Sequence, residues 1–460
     1  MPTVRELKSI VRGNLIQGIQ EAQVAGVSID SRSMTNKSIF IAIKGSKFDG
    51  HHFIRCAIRQ GARVVIASKP ITCSSEIAVI CVGDTTKALG HIARWHRDQY
   101  DIPVIAITGS VGKTTTKEMV SAVLSRRFKV LKNAKTENNQ YGVPLTLLKL
   151  NPSHKMVVIE WGTNQPGDIR WLAQMVRPTT AIFTNIGESH LQRLKDKNGV
   201  FREKAQLIKY LDEKGTLIIN GDDPYLKKLL KRYPARKILC FGHGGHLDCQ
   251  VSWMGVEKNS RILFKVQKKL FSIKSPAVHN VVNALAAICC GRLYKIGYND
   301  VQFALSRFKF GNARQEIINS GGLWIIDDTY NSNPTSLISA VSTLNTFKVG
   351  GKRMIVCADM LELGERARLL HQSAGKLITD SSADMVLTVG EHSKHITRFI
   401  KNTHTNVKAW HFQNLGQVHK KLKQLCCPGD VLLVKGSRST RMERTGSRWR
   451  QRVQKPRWPQ

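Results

Sequence analysis

Short apolar runs recur along the chain, and most of them stop at a glycine, an amide or an acidic residue. Over residues 1–83, IFIAI, ARVVIAS and IAVICV alternate with helical stretches such as HFIRCAIRQG, which predicts a small α/β unit. Over 84–310, PVIAITGS, MVVIEWGTN, TAIFTNIGESH and GTLIINGDD each run from apolar residues into a polar loop, with helical segments between. That alternation predicts a parallel, doubly wound sheet. Residues 237–275 (ILCFG, VSWMGV, ILFKV, FSIK) interrupt it with short strands, read as an antiparallel patch before the helix HNVVNALAAICC. From 311 to 460 a third α/β unit follows, through LWIIDDTYNSNP, RMIVCADM, DMVLTVG and DVLLVKGS. The expected fold is therefore α/β with three domains. No repeat of solenoid period and no low-complexity tract is present.

In open α/β sheets, ligands bind beyond the carboxyl ends of the strands. The polar clusters of the second and third units fall there. AITGSVGKTTTKE (106–118) sits between a predicted strand and a helix starting near Lys113, so its backbone N–H groups and the positive helix end face an anion. It is shorter than the usual phosphate loop, with Ile107 in place of the first glycine. Gly109 and Gly112 permit a tight turn and a close backbone approach. Lys113 suits β/γ-phosphate charge, and the Thr114 hydroxyl suits magnesium.

Glu160 ends the strand of VVIEWGTN, where a carboxylate can hold magnesium beside Thr114. His190 follows another strand end in TNIGESHL and is expected near the metal. Lys204 lies on a predicted helix, and by residue type alone reads as a solvated cation. DDTYNSNP supplies Asp327, Asp328, Asn331 and Asn333, which suit a ribose, an ammonium group or a short peptide, or simply a turn. KGSRST (435–440) offers two cations to a carboxylate, a phosphate or solvent.

With 460 residues, the chain exceeds what one hydrophobic core organises. Its 42% hydrophobic and 23% charged content is that of a soluble globular protein. No run approaches the roughly 20 apolar residues of a membrane helix, and the start, charged and without an apolar h-region, is expected to carry no secretory leader. Ten cysteines without a C-x-x-C pair read as reduced thiols in an intracellular protein with no zinc site. A net charge of +38 would suit nucleic acid or other anions, but the cations are spread through the chain. The exception is a basic tail from about residue 444 to 460, rich in Arg, Lys, Trp and Pro.

An ordered set of blocks resembles the Mur ligases of peptidoglycan synthesis. It includes SIDSRSMTNKSIFIAIKGSKFDGHHFI, TGSVGKTTTKEM, ENNQYGVPLTLLKL, EWGTNQPGDI, TNIGESHL, HNVVNALAA, DDTYNSNPTS, ADMLELGE and VKGSRST, between about residues 24 and 443. DDTYNSNP with ADMLELGE points to the member that adds D-alanyl-D-alanine. The resemblance implies a UDP-substrate domain (1–83), a central ATP-binding ligase domain (84–310) and a C-terminal Rossmann-like domain (311–460). It implies a cytoplasmic, monomeric enzyme using ATP and two Mg2+ ions. Its substrates would be UDP-N-acetylmuramoyl-tripeptide and D-alanyl-D-alanine, joined through an acyl phosphate.

Carried over to this chain, the resemblance gives Lys113, Glu160, His190 and Lys204 the catalytic roles. Thr114, Glu160, His190 and a carbamylated Lys204 would hold metal. ATP would meet Thr108, Gly109, Ser110, Val111, Gly112, Lys113, Thr114, Thr115, Asn138, Asn139 and Asn280. Arg314 and Asp328 would reach ATP from the third domain. Ser31, Arg32, Lys44, Asp49, Gly50 and His51 would serve the UDP-substrate, and Asn331 and Asn333 the D-alanyl-D-alanine. Val111, Trp161 and Ala358 depart from the family pattern. A folylpolyglutamate synthetase-like ligase would not explain the first domain's DSR and GSKFDGHHF. A nucleic-acid-binding P-loop NTPase is the rival from another class, and it would require stimulation by DNA or RNA.

Overall fold

The computed structural model describes residues 1–445 apart from 46, 135–136, 246, 258–260 and 312. Most of the basic tail, from 446 onward, lies outside the described residues. Three sheets follow one another along the chain. The first has five strands, in the order Asn14–Gln17, Ala78–Cys81, Ala62–Ala67, Ser38–Ile41 and Val27–Ser28. Only its first pair is antiparallel.

The second sheet has nine strands. Its spatial order is Lys269–Ile273, Arg261–Val266, Cys249–Glu257, Lys237–Gly242, Thr216–Asn220, Thr180–Phe183, Val104–Thr108, Met156–Glu160 and Val130–Lys132. Strand Lys237–Gly242, read from the sequence as part of an antiparallel patch, instead pairs parallel with Thr216–Asn220 and extends the main sheet. The antiparallel patch is confined to Cys249–Glu257, Arg261–Val266 and Lys269–Ile273. The third sheet runs Glu316–Ser320, Leu323–Asp328, Val431–Lys435, Arg353–Ala358, Met385–Val389 and Lys408–Phe412, parallel after its first pair.

Strand Val104–Thr108 lies mid-sheet and is buried throughout, which is why PVIAI reads as a continuous apolar run. Gly112, in the left-handed region (φ 83°), turns the chain straight into helix Lys113–Leu124. That helix buries Met119, Val120, Val123 and Leu124 in one core with Ala284, Ala286 and Ala287 of helix His279–Leu293. The small residues of NALAA let the two helix backbones approach closely. At Gly291 a β-carbon would come within 2.7 Å of Val123 Cγ1.

One core cluster joins the central and third units. It holds Leu191 and Leu194 together with Met360, Leu363 and Ala367, all buried. The loops at the strand ends of both units are thus held against each other. Among the described residues, no helix is long and apolar enough to cross a membrane.

Candidate active site

The chain 109–112 is fixed by the loop that follows strand Thr180–Phe183. Asn185 Oδ1 accepts the Val111 N–H at 3.0 Å, while Thr184 Oγ1 (2.6 Å) and Asn185 Nδ2 (3.2 Å) donate to the Val111 carbonyl. Ser110 Oγ donates to the Gly187 carbonyl and accepts the Gly187 N–H. Val111 is therefore positioned through its backbone, which is why an apolar residue stands there without loosening the loop. A β-carbon on Gly109 would strike Thr184 Oγ1, and one on Gly112 would lie 2.5 Å from Asn283 Oδ1. With φ of 151° and 83°, both positions call for glycine.

Lys113 folds back over the loop, its Nζ donating to the carbonyls of Gly109 (2.9 Å) and Ser110 (3.2 Å). Burial pulls its pKa down; Glu160 opposes that shift and Arg314 adds to it. One residue on, Thr114 Oγ1 donates to Glu160 Oε2 at 2.7 Å. Asn138 Nδ2 donates to the other carboxylate oxygen at 2.8 Å. Glu160 is 1% exposed. Its peptide is clamped by Asn133, whose Oδ1 accepts the Glu160 N–H (3.0 Å) and whose Nδ2 donates to its carbonyl (3.2 Å).

This donor set fits magnesium. A hydroxyl and a carboxylate offer hard oxygens, too few to enclose an ion, and Mg2+ is usually held by one or two carboxylates plus substrate phosphates. Among the described residues no group of three His, Cys, Asp or Glu could hold a metal unaided.

Lys204, solvated by default in the sequence reading, is 1% exposed on helix Lys197–Ala205. Burial, then the neighbouring Lys113, depresses its pKa well below the ordinary lysine range, with Glu203 opposing. Glu203 itself is engaged at the start of helix Asp168–Val176, accepting the N–H groups of Gly167 (2.9 Å) and Ile169 (2.8 Å). His190 is held left-handed (φ 54°), and its Nδ1 lies 2.5 Å from Glu362 Oε2 of the third unit. Its neighbour Ser189 donates to Ser110 Oγ at 3.2 Å, tying this segment to the phosphate-type loop.

The third unit closes a cavity of about 80 Å3 lined by Val111, Thr115, His279, Asn280, Arg314 and Asp328, among others. Lys435, fully buried, bonds Asp328 Oδ2 at 2.9 Å and the Asn331 carbonyl at 2.7 Å. The reading of Lys435 as a cation for a ligand or solvent is corrected by this: its charge is used within the protein. Arg314 stacks over the Tyr330 ring at 3.9 Å. Asn331 lines the cavity, whereas the Asn333 side chain caps helix Pro334–Thr346 through the Ser336 N–H. The Asn139 side chain accepts the N–H groups of Tyr141 and Gly142 where helix Gly142–Leu147 begins. Asn280 Nδ2 donates to Ser275 Oγ, and Thr108 Oγ1 to the Trp161 carbonyl. Trp161 is wholly buried, as is Ala358 in the third unit's core.

In the first unit the backbones of Lys44 and Asp49 pair in an isolated antiparallel β-bridge. Asp49 Oδ1 accepts the His51 N–H (3.0 Å) and meets His51 Nδ1 at 2.6 Å; these bonds hold the carboxyl at about 2. His51 Nε2 in turn accepts the Ser68 N–H. Gly50 turns where a β-carbon would press on the Ile43 backbone at 2.7 Å. Arg32 makes a two-pronged contact with Asp30 (2.9 and 2.7 Å) beside the buried Ser31. These residues form two local knots.

Sequence reasoning missed Asn133, Asn185, Asn283 and Glu362. HNVVN carried a signal for Asn283, because Asn280 and Asn283 sit one turn apart and bond each other at 3.0 Å. Thr116 Oγ1 also donates to Asn283 Oδ1.

Residues 107–291 match the Mur ligase middle domain, 313–438 the Mur ligase glutamate ligase domain, and 23–97 the Mur ligase family catalytic domain. UDP-N-acetylmuramoyl-tripeptide–D-alanyl-D-alanine ligase of Bacillus subtilis is 34% identical over 96% of both chains. A crystal structure of MurF from Acinetobacter baumannii superposes with a TM-score of 0.89 at 28% identity, covering 98% of each chain. MurF ligase from Thermotoga maritima, in complex with ADP, gives 0.83 at 28% identity, over 94% of this chain and 98% of that one.

Proposed function

The chain belongs to the Mur ligase family, and we infer from its site that it joins D-alanyl-D-alanine to UDP-N-acetylmuramoyl-tripeptide using ATP. The observation that carries the reading is the Thr114–Glu160 contact at the mouth of a glycine loop. A hydroxyl and a carboxylate meeting there are the pair a nucleotide-bound magnesium needs.

We assign the roles as follows. Lys113 and the loop N–H groups neutralise and hold the ATP phosphates, with Thr108, Ser110 and Thr115 beside them. Asn138, Asn139 and Asn280 border the nucleotide, which Arg314 and Asp328 close over. Thr114 and Glu160 would hold one magnesium, and His190 with carbamylated Lys204 a second; such ions would supply charge neutralisation at the transferring phosphoryl group. The depressed Lys204 amine supports carbamylation, since only a neutral amine adds carbon dioxide. Ser31, Arg32, Lys44, Asp49, Gly50 and His51 serve the UDP-substrate, and Asn331 and Asn333 the dipeptide. Domain divisions at 83/84 and 310/311, a monomeric working unit and a cytoplasmic location complete the proposal.

A carboxylate is a poor electrophile, and phosphorylation gives it a leaving group. The dipeptide amine then displaces phosphate through a tetrahedral intermediate. Holding both reactants in place can remove on the order of 7–11 kcal/mol from such a barrier. The test is phosphate release from ATP with each substrate omitted in turn. Release should require both, and release without an acceptor would sink the reading. A native mass higher by one carbon dioxide, lost in Lys204→Arg, tests the carbamate separately.

A further inference from the structure

Away from the nucleotide loop, a cavity of about 360 Å3 opens between the first and central units. Small-molecule sites usually span about 300–1,000 Å3. Arg12 ends helix Val4–Val11, His91 and Arg94 lie on helix Thr85–Asp98, and Arg177 ends helix Asp168–Val176. Arg177 precedes the amino end of strand Thr180–Phe183, whereas the nucleotide loop lies past the carboxyl ends of its neighbours. The two cavities are separate.

Three arginines line the cavity, Arg94 half-buried and Arg12 and Arg177 exposed at its rim, and no Asp or Glu does. Arg94 has only a loose, part-exposed contact with Asp98 at 3.7 Å. Among the described residues, neither Arg12 nor Arg177 has a salt-bridge partner. Converging cations in a concavity focus positive potential, and guanidinium groups suit phosphate oxygens in two-pronged fashion. A second observation points the same way: His91 Nδ1 is buried without a hydrogen-bond partner. Tyr210 Oη already accepts from Gln174 Nε2 at 2.9 Å, which leaves its own proton to donate. Trp171 supplies an aromatic wall, packed on Gly90 where a β-carbon would strike the ring, and edge-on to His91 at 5.9 Å.

We propose that this cavity binds a small organic phosphate carrying a flat ring. The dianion lies among Arg12, Arg94 and Arg177, and the ring rests beside Trp171. Such an occupant bridges helices of the first and central units, and so stiffens the seam between them.

The test uses the full chain with its nucleotide loop filled by ADP and magnesium, at constant ionic strength. The Trp171 indole N–H resonance, assigned with Trp171→Phe, is followed during titration with phenyl phosphate, inorganic phosphate or phenol. Phenyl phosphate should shift it saturably, inorganic phosphate more weakly, and phenol not at all. The double variant Arg94→Ala, Arg177→Ala should bind phenyl phosphate at least tenfold more weakly while ligase turnover is unchanged. An absent or unsaturable shift, or equal affinity in the double variant, would overturn the site. Inorganic phosphate binding as tightly as phenyl phosphate would overturn the ring-bearing ligand.

Discussion

The Nδ1 of His190 and the Oε2 of Glu362 lie 2.5 Å apart, a contact that joins the central unit to the third. The same strand-end loops touch again where Gln192 donates its N–H to the Glu362 carbonyl. An imidazole whose Nδ1 is bound by a carboxylate has its ring fixed and its Nε2 turned outward, the arrangement that orients a metal-binding histidine.

Glu362→Gln should therefore raise the magnesium concentration needed for half-maximal turnover by about 10- to 100-fold, the range seen for partners of metal-binding histidines. Thermal stability should change little, because the Glu362 side chain is over half exposed. Turnover against magnesium concentration measures it. An unchanged magnesium requirement would separate His190 from the metal.

Gly112→Ala tests the loop. The left-handed φ of 83° and the approach to Asn283 Oδ1 both oppose a side chain. Strain of this kind costs of order 1–3 kcal/mol, so KM for ATP should rise about tenfold or more with the fold retained. Asn283→Ala in the same background should recover part of the loss. No recovery would place the defect in backbone strain alone.

The phosphate-type loop, Glu160 and the strand-end placement of His190 were legible in the sequence because parallel strands read as apolar runs that end where ligands bind. The strand direction of ILCFG was not, since burial on both faces looks alike in parallel and antiparallel pairing. Lys204 gave no local sign of burial, because its cover comes from segments distant in sequence. Glu362 and His190 are 172 residues apart, and such a pair leaves no spacing to read.

His279 should make stability depend on pH. Burial, with Lys435 adding and Asp328 opposing, moves its pKa down from the usual 6.5 to about 4. Between those values the unfolded chain binds more protons than the folded one. This group therefore costs stability as pH falls from 6.5 to 4 and nothing above that window. One group sets a slope of at most about 1.4 kcal/mol per pH unit, and partial exposure makes it shallower. Urea midpoints across this range should flatten in His279→Gln. Parallel curves for the two proteins would show that another group governs the acid limb.

Lys435 and Asp328 give the sharpest energetic test. Lys435 is completely buried at the end of strand Val431–Lys435, and its two bonds reach Asp328 and the Asn331 carbonyl. Removing one partner of a buried pair leaves an uncompensated charge, at a cost of about 3–5 kcal/mol. Lys435→Met should thus destabilise the chain strongly, because it strands both the Asp328 carboxylate and the Asn331 carbonyl. Asp328→Asn added to it removes the stranded charge and should restore more than half of that loss. Restoration of stability need not restore turnover, since Asp328 is also assigned to the nucleotide. A double variant no more stable than Lys435→Met would mean that the Asn331 carbonyl, and not the ion pair, is what Lys435 holds in place.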